Sequence, residues 1–494
     1  MKTSSMSFAR SRSNAALVSL SVFIFSAILG NACSPSKAGS AGGAGASGGP
    51  TSTHGGAEQV GGDNGLAGAG TPGEAGDDST AGAGGDETGD TGAGGGVSQG
   101  GASTSGGASA SGSGGMSGTA GSIASGGSAG SVEGPLVGAT AITAGDWHAC
   151  ALLAGGTVKC WGSNEYGQLG NGTKNASNVP VSVSKLTGAT AVSAGGGHTC
   201  ALLSSGKVEC WGWDNNGQLG DGRSISTADP SQTIVTAQVP VAVSNLTDAV
   251  AISAGGTYTC ALRAGGAVQC WGDNRSAELG TSTPIQQLTP TDVPGITGAT
   301  KISTGSGSTC ALLADTSAEC WGSEAFGLLG NGTGLLTATE PPVEVLNLTS
   351  ATQIDTNDRN SYALLSAGTV KWWGYSASTG MQFSTPSLMP NLTGVTAVAA
   401  MSDGGCAVLP GGTVSCWGDG SFGERGNDTR KSDWVPAAVS NVSGATAIAG
   451  GALFACALLA NGSIDCWGDN RDGQLGAGTT AQTWGTPLPV RASP

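Results

Sequence analysis

Six pairs of cysteines at one spacing, in a chain that repeats itself about every 50 residues, restrict the fold more than any other feature. The pairs are Cys150/Cys160, Cys200/Cys210, Cys260/Cys270, Cys310/Cys320, Cys406/Cys416 and Cys456/Cys466. Each flanks the same pattern, first seen as Cys150-Ala151-Leu152-Leu153-Ala154-Gly155-Gly156-Thr157-Val158-Lys159-Cys160-Trp161-Gly162. Two short apolar runs around a Gly-containing turn read as a β-hairpin. A three-residue loop at 154–156 places Cys150 opposite Cys160. Facing Cα atoms lie about 4.5–5.5 Å apart, within the disulfide range of roughly 4.4–6.8 Å. In the fifth copy Tyr362 and Trp372 replace both cysteines together, so none is left single. Pairing within a hairpin predicts that; pairing between repeats would strand a partner. Zinc sites draw on cysteines about two to four residues apart. The ten-residue step favours disulfides, as an oxidising compartment would allow.

The first cysteine, or its stand-in, recurs at 150, 200, 260, 310, 362, 406 and 456. Seven units of this period mark a repeat architecture. The second unit reads as four strands, near Val179–Val183, Ala189–Ala194, His198–Leu203 and Lys207–Trp211. A polar loop ending Gly217-Gln218-Leu219-Gly220 follows them. The expected fold class is all-β: a seven-bladed β-propeller with four-stranded blades over 135–494. A Pro/Val strand precedes units two to seven, but only Gly134-Pro135-Leu136-Val137 precedes the first. The spare copy Thr486-Pro487-Leu488-Pro489-Val490 is therefore expected to pair into the first blade and shut the ring, removing its open edges.

The segments His198-Thr199-Cys200-Ala201-Leu202, Gly206-Lys207-Val208, Trp211-Gly212 and Asn216-Gly217-Gln218-Leu219-Gly220 resemble the regulator of chromosome condensation repeat. The resemblance recurs in every unit over about 138–494 and implies a seven-bladed propeller. The cysteine couples depart from the family's basic pattern. Unit five largely lacks the Gly-Gln-Leu-Gly loop, running Trp373-Gly374-Tyr375 into Ser376. The resemblance also implies regulation of a protein partner. Some members exchange guanine nucleotide on a GTPase, and a secreted bacterial propeller similar to this family inhibits β-lactamases. Neither activity maps onto this chain residue by residue.

Ahead of the repeats, Lys2, Arg10 and Arg12 precede an apolar run from Ala15 to Leu29, too short for a typical membrane span. Gly30 and Ala32 suit cleavage before Cys33. Residues 1–32 resemble a bacterial lipoprotein signal, in which Cys33 would be acylated. Cys33 is also the thirteenth cysteine, left over from the six couples. Ordinary secretion is the alternative. Residues 33–134 are rich in Gly, Ala, Ser and Thr, with no aromatic residue, so a disordered linker is expected. The repeat region carries a net charge of −10 and no basic stretch, which excludes nucleic acid as the expected partner.

Catalytic chemistry is hard to find. His148 and His198 share one repeat position, two residues before a cysteine, with no base or orienting group beside them in sequence. Asp273, Asp419, Asp469 and Asp472 follow Trp-Gly, where such residues build turns. Trp161, Trp211, Trp271, Trp321, Trp373, Trp417 and Trp467 share one position and read as core. Trp372 is expected to pack on Tyr362. Trp147 and Trp213 occupy turns where sister repeats carry smaller groups. With His148, Tyr166, Tyr258, Phe326 and Phe422 they form the candidate partner-binding set, since exposed aromatic rings serve as binding anchors. The expectation is a non-enzymatic, exported, lipid-anchored monomer without cofactor or metal. It would sit at the outer membrane or cell surface, touch the membrane only through its lipid, and bind a protein or glycan.

Overall fold

The structure is a computed structural model that describes residues 134–223, 235–334, 339–377, 379–483 and 485–493. The signal segment, Cys33, all of the linker before Gly134, and Trp484 lie outside the described residues. So does most of the insertion after Arg223.

Seven antiparallel sheets of four strands each form the blades. Blade one consists of Ala139–Ala144, His148–Leu153, Val158–Gly162 and Ser177–Ser182. Each strand pairs with its neighbour in sequence, and the other six blades repeat this meander. The first strands line a central channel and are rich in Ala, Ser and Thr. Seven backbones converge there, which leaves little room for large side chains. Second strands such as His198–Leu203 are buried at every position but the last. They carry no polar–apolar alternation because both faces pack against other blades. The fourth strands form the rim, where prolines such as Pro180 and Pro240 are tolerated at a sheet edge.

The Pro/Val strand belongs to the other side of its unit from that expected. Ser177–Ser182 pairs with the third strand of blade one, with Cys160 facing Val181, and is not the opening strand of blade two. By the same rule Leu488–Pro489 pairs with the third strand of blade seven, Cys466 facing Leu488, and not with blade one. The segment's composition marks an outer strand but not which neighbouring blade it joins. The segment before blade one pairs with this end of the chain instead: Leu136 N–H donates to Val490 O at 2.7 Å, Ala492 N–H donates to Gly134 O at 2.9 Å, and Pro135 bridges Arg491.

Seven apolar cores hold the ring, each shared by two adjacent blades. The core that closes the circle joins Ile142 and Trp161 of blade one to Phe454, Leu458 and Ile464 of blade seven. The seven repeat tryptophans are all fully buried. Their indoles also tie blade to blade. Trp211 Nε1 donates to Gln168 O of the preceding blade at 2.8 Å, and Trp161 closes the circle on Gln474 O at 2.9 Å. The glycine after each of these tryptophans adopts φ between +103° and +111°. At Gly162 a Cβ would lie 2.6 Å from Trp147 O, so a side chain there is excluded twice over.

All six cysteine couples are disulfides within their hairpins. Cys150 is bonded to Cys160, Cys200 to Cys210, and Cys260 to Cys270. Cys310 is bonded to Cys320, Cys406 to Cys416, and Cys456 to Cys466. The pairing is as expected, but the spacing is not. The Cα atoms are 4.0 Å apart for Cys150–Cys160 and Cys200–Cys210. They are 4.1 Å apart for Cys260–Cys270, Cys310–Cys320, Cys406–Cys416 and Cys456–Cys466. Every value lies below the range of about 4.5–5.5 Å for ordinary facing residues. The second cysteine of each pair also has a rim-strand residue on its other side. Cys210 faces Val241, Cys270 faces Thr291, Cys320 faces Val343 and Cys416 faces Ala437. Each bond is thus enclosed in the middle of its blade, and all twelve cysteines are fully buried.

In blade five Tyr362 faces Trp372 in the same register. The two side chains share one apolar core, as expected of a facing pair, and their rings also engage other neighbours. Tyr362 meets Trp417 edge-on at 5.5 Å, and Trp372 meets Phe383 and Trp434 at 5.0 and 4.6 Å.

Candidate binding face

Each blade turns twice at the same end of the ring, between its first and second strands and between its third and fourth. At this upper end Ser163 N–H donates to Trp147 O at 2.9 Å, joining the two turns of blade one. The opposite, lower end carries the tight hairpin turns and the links between blades.

The long third-to-fourth loops are built by one recurring side chain. Asn164, Asn274 and Asn470 each accept the N–H of a leucine five residues on. Each also donates from Nδ2 to two loop carbonyls, Thr173 and Asn175 in the case of Asn164. Blade two carries Asp214 instead, which accepts from Leu219 N–H at 3.0 Å. Its buried Oδ2 has no hydrogen-bond donor among the described residues and lies 3.9 Å from Arg223. Burial, opposed by the Leu219 hydrogen bond, pushes this carboxyl up to about 7. A folded pKa raised above the unfolded value penalises the ionised form. That cost is absent below about pH 4, grows as pH rises through the window up to 7, and is complete above it. Asp214→Asn is therefore expected to stabilise the propeller by about 1–2 kcal/mol above pH 7. The gain should fade toward pH 4. Denaturant melts of both proteins across this range check it.

His148 and Tyr258 leave the candidate contact set, because both are fully buried between blades. His148 Nε2 lies 2.8 Å from Thr199 Oγ1, which donates to Gln168 O at 2.9 Å. The hydroxyl proton being committed, His148 donates through Nε2. Burial lowers its pKa to about 4, keeping the ring neutral. His198 makes the same bond to Thr259. Tyr258 reaches Ser308 O at 2.7 Å and accepts from Thr309 Oγ1 at 2.9 Å. This position braces each blade against the next.

The remaining aromatic residues of the set lie at the upper end, all half-buried. Tyr166 of blade one stacks on Trp213 of blade two, ring centres 5.2 Å apart. Phe326 of blade four stacks on Tyr375 of blade five at 5.1 Å. Phe422 of blade six lies under the Arg471 guanidinium of blade seven at 4.6 Å. Each pair bridges two blades, which leaves one edge or face of each ring available. Trp147 has no ring partner among the described residues. Tyr375 and Arg471 were missed in sequence because each gains its role only from a ring on the neighbouring blade.

Carboxylates collect at the same end. Asp146 lies near enough to Asp358 for their charges to interact, and burial, then the Asp358 charge, raises Asp146 to about 6. Deeper in the channel Asp355 accepts from Ser303 Oγ at 2.9 Å and Ala400 N–H at 2.9 Å, and burial raises it to about 6. Thr143, Ser193, Ser253 and Ser303 occupy the same position and accept the next blade's N–H. Asp355 is therefore part of the wall. Asp419 and Asp469 build turns as expected, accepting from Ser421 and Arg471 N–H. Among the described residues no group of three or more His, Cys, Asp or Glu is placed to hold a metal ion.

Family models of the regulator of chromosome condensation (RCC1) repeat match residues 155–202, 205–262 and 265–312, and in a second form 139–168, 189–218, 249–277 and 445–474. No curated protein sequence matches the chain. Among solved structures the chain is similar to yeast RCC1 (Prp20) in its complex with Kap60. The two share 20% identity over 68% of this chain and 83% of that one, with a TM-score of 0.59. Prp20p from Saccharomyces cerevisiae, whose report covers its binding to Gsp1p and histones, matches at 20% identity, 68% and 86% coverage and a TM-score of 0.58. Human WBSCR16 matches at 18% identity over 63% and 84% of the chains, with a TM-score of 0.55.

Proposed function

The propeller is built of regulator of chromosome condensation (RCC1) repeats, and from that footing we propose that it is a non-enzymatic module that binds a protein partner through its upper end. The observation that carries this reading is the gathering at one end of Trp147, the Tyr166–Trp213 and Phe326–Tyr375 stacks, and Asp146 with Asp358. Aromatic groups with one face free, ringed by charge, are the composition of binding hot spots. The fully buried disulfides fit an oxidising compartment. We place the protein outside the cytoplasm, exported by residues 1–32 and anchored through an acylated Cys33, with residues 33–134 carrying the propeller away from the membrane. The binding of Kap60, Gsp1p and histones by yeast Prp20 supports a protein over a glycan as the partner class. A second reading, inhibition of a secreted enzyme, is favoured by the same coincidence of aromatic rings and Asp side chains on one end.

The test is capture of envelope and secreted proteins of its own source by the immobilised full chain. A saturable partner is expected, with affinity at least tenfold weaker for Trp147→Ala or Trp213→Ala. That factor corresponds to about 1.4 kcal/mol. Leu388→Ser, at the lower end and 60% exposed, should leave it unchanged. Loss through Leu388 with retention in both tryptophan variants would place the site elsewhere.

A further inference from the structure

We propose that a cavity beside the irregular blade five receives a basic side chain, Lys or Arg, of the protein bound at the upper end. The inference rests on the reading of that end as a binding face and specifies what one part of it recognises.

In blade one the loop between third and fourth strands spans 163–176; in blade five it spans only 376–381. The short loop does not supply the carbonyl that the next blade's tryptophan uses elsewhere. Trp417 Nε1 donates instead to Tyr362 Oη at 3.0 Å. The shortfall coincides with a cavity of about 220 Å³ between blades five, six and seven. A water molecule's share of liquid is about 30 Å³, so the space can take a side-chain head group.

Asp358, Asp403, Asp419 and Glu424 line the cavity, against a single cation, the exposed Arg359. Several of these carboxylates are held in place. Asp358 accepts from Ser402 Oγ at 2.7 Å and from Ser306 Oγ, and Asp403 accepts from Ala377 N–H at 3.1 Å.

Glu424 is the independent sign of a ligand. It is 2% exposed, and its Oε2 accepts from Phe422 N–H at 2.9 Å. Its Oε1 is buried with no hydrogen-bond partner among the described residues. Blades one, two and seven place Gln168, Gln218 and Gln474 at this position, each accepting the same loop N–H through its amide oxygen, and blade three places Glu278, which makes that bond through Oε2. An amide therefore suffices to build the loop, and the second oxygen of Glu424 is surplus to that role. Burial and the Asp419 charge push its carboxyl up to about 7, so a cation brought alongside would be favoured. The described residues form no compact ligand set for a metal ion. A guanidinium or ammonium, with several N–H donors fanned outward, suits spread carboxylates better.

The experiment titrates the full chain with a blocked Gly-Arg-Gly peptide and with the same peptide carrying citrulline, followed by calorimetry. The expected result is saturable binding of the arginine peptide, at least tenfold weaker for citrulline and for Glu424→Gln. That variant keeps the loop bond that glutamine makes in three sister blades, so it should fold, and an unchanged melting profile checks this. Equal binding to both peptides, equal binding to Glu424→Gln, or no saturable binding at millimolar peptide would overturn the inference. So would calcium binding that displaces the peptide. Should the peptide fail while partner capture still depends on Trp147 and Trp213, this inference falls and the face reading stands. Glu424-dependent peptide binding with no captured partner would keep the cavity's recognition of a basic group and overturn the reading of the upper end as a protein-binding face.

Discussion

With its six disulfides reduced, the protein is expected not to regain its fold from denaturant at 37 °C, whereas the oxidised protein does. Each bond closes a loop with a sequence separation of 10, which the chain-entropy account values at about 2–3 kcal/mol. Residual hairpin structure in the unfolded chain lowers that figure. Six bonds still sum to the order of 10 kcal/mol, comparable with the roughly 5–15 kcal/mol that holds a native domain. All twelve bonded cysteines are fully buried, so native protein should resist millimolar reductant until it opens. Refolding yields with and without reductant, with the bonds mapped by mass spectrometry, test both halves. Full recovery of the reduced chain, or bonds linking different hairpins, would contradict the account.

The second large effect concerns blade five, where restoring the missing bond is expected to harm the protein. Tyr362 and Trp372 face each other in the register of a disulfide, so Tyr362→Cys with Trp372→Cys can form one. The gain would be about 2–3 kcal/mol. Against it stand two buried aromatic side chains, at about 3–5 kcal/mol each. Trp417 would also lose the hydroxyl that stands in for the absent loop carbonyl, leaving a buried N–H unpaired at about 1–3 kcal/mol. A net loss of at least about 4 kcal/mol is expected in denaturant melts of the oxidised double variant. A gain in stability would show that the aromatic pair merely fills space.

Blade five also shows how far sequence carries. The joint loss of two cysteines is visible as an exception, and it points correctly to pairing within hairpins. The partners of their replacements are not visible. Trp417 lies in the next repeat, and nothing local says that a shortened loop leaves its indole in need of an acceptor. The closing strand fails for a related reason. Thr486–Val490 has the look of an outer strand, but an outer strand lies between two blades in sequence, and only pairing decides between them. The contact residues divide on the same principle. His148 and Tyr258 look exposed because they flank a turn, yet they point into the seam between blades. Trp213, in the outward turn, stays at the surface but takes Tyr166 from the neighbouring blade as its partner. Period, strand count and disulfides are local properties and can be read along the chain. The binding end, Glu424 and the cavity are set by adjacent blades, and they emerge only when the ring is built.

The most direct test of the binding-face account is oxidative footprinting of the complex with the captured partner, compared with the free protein. Protection is expected at Trp147, Trp213, Phe326 and Phe422, all at the upper end, and none at Leu346 or Leu388 at the lower end. Protection confined to the lower end or the outer strands, with the upper-end rings reacting as in the free protein, would contradict it.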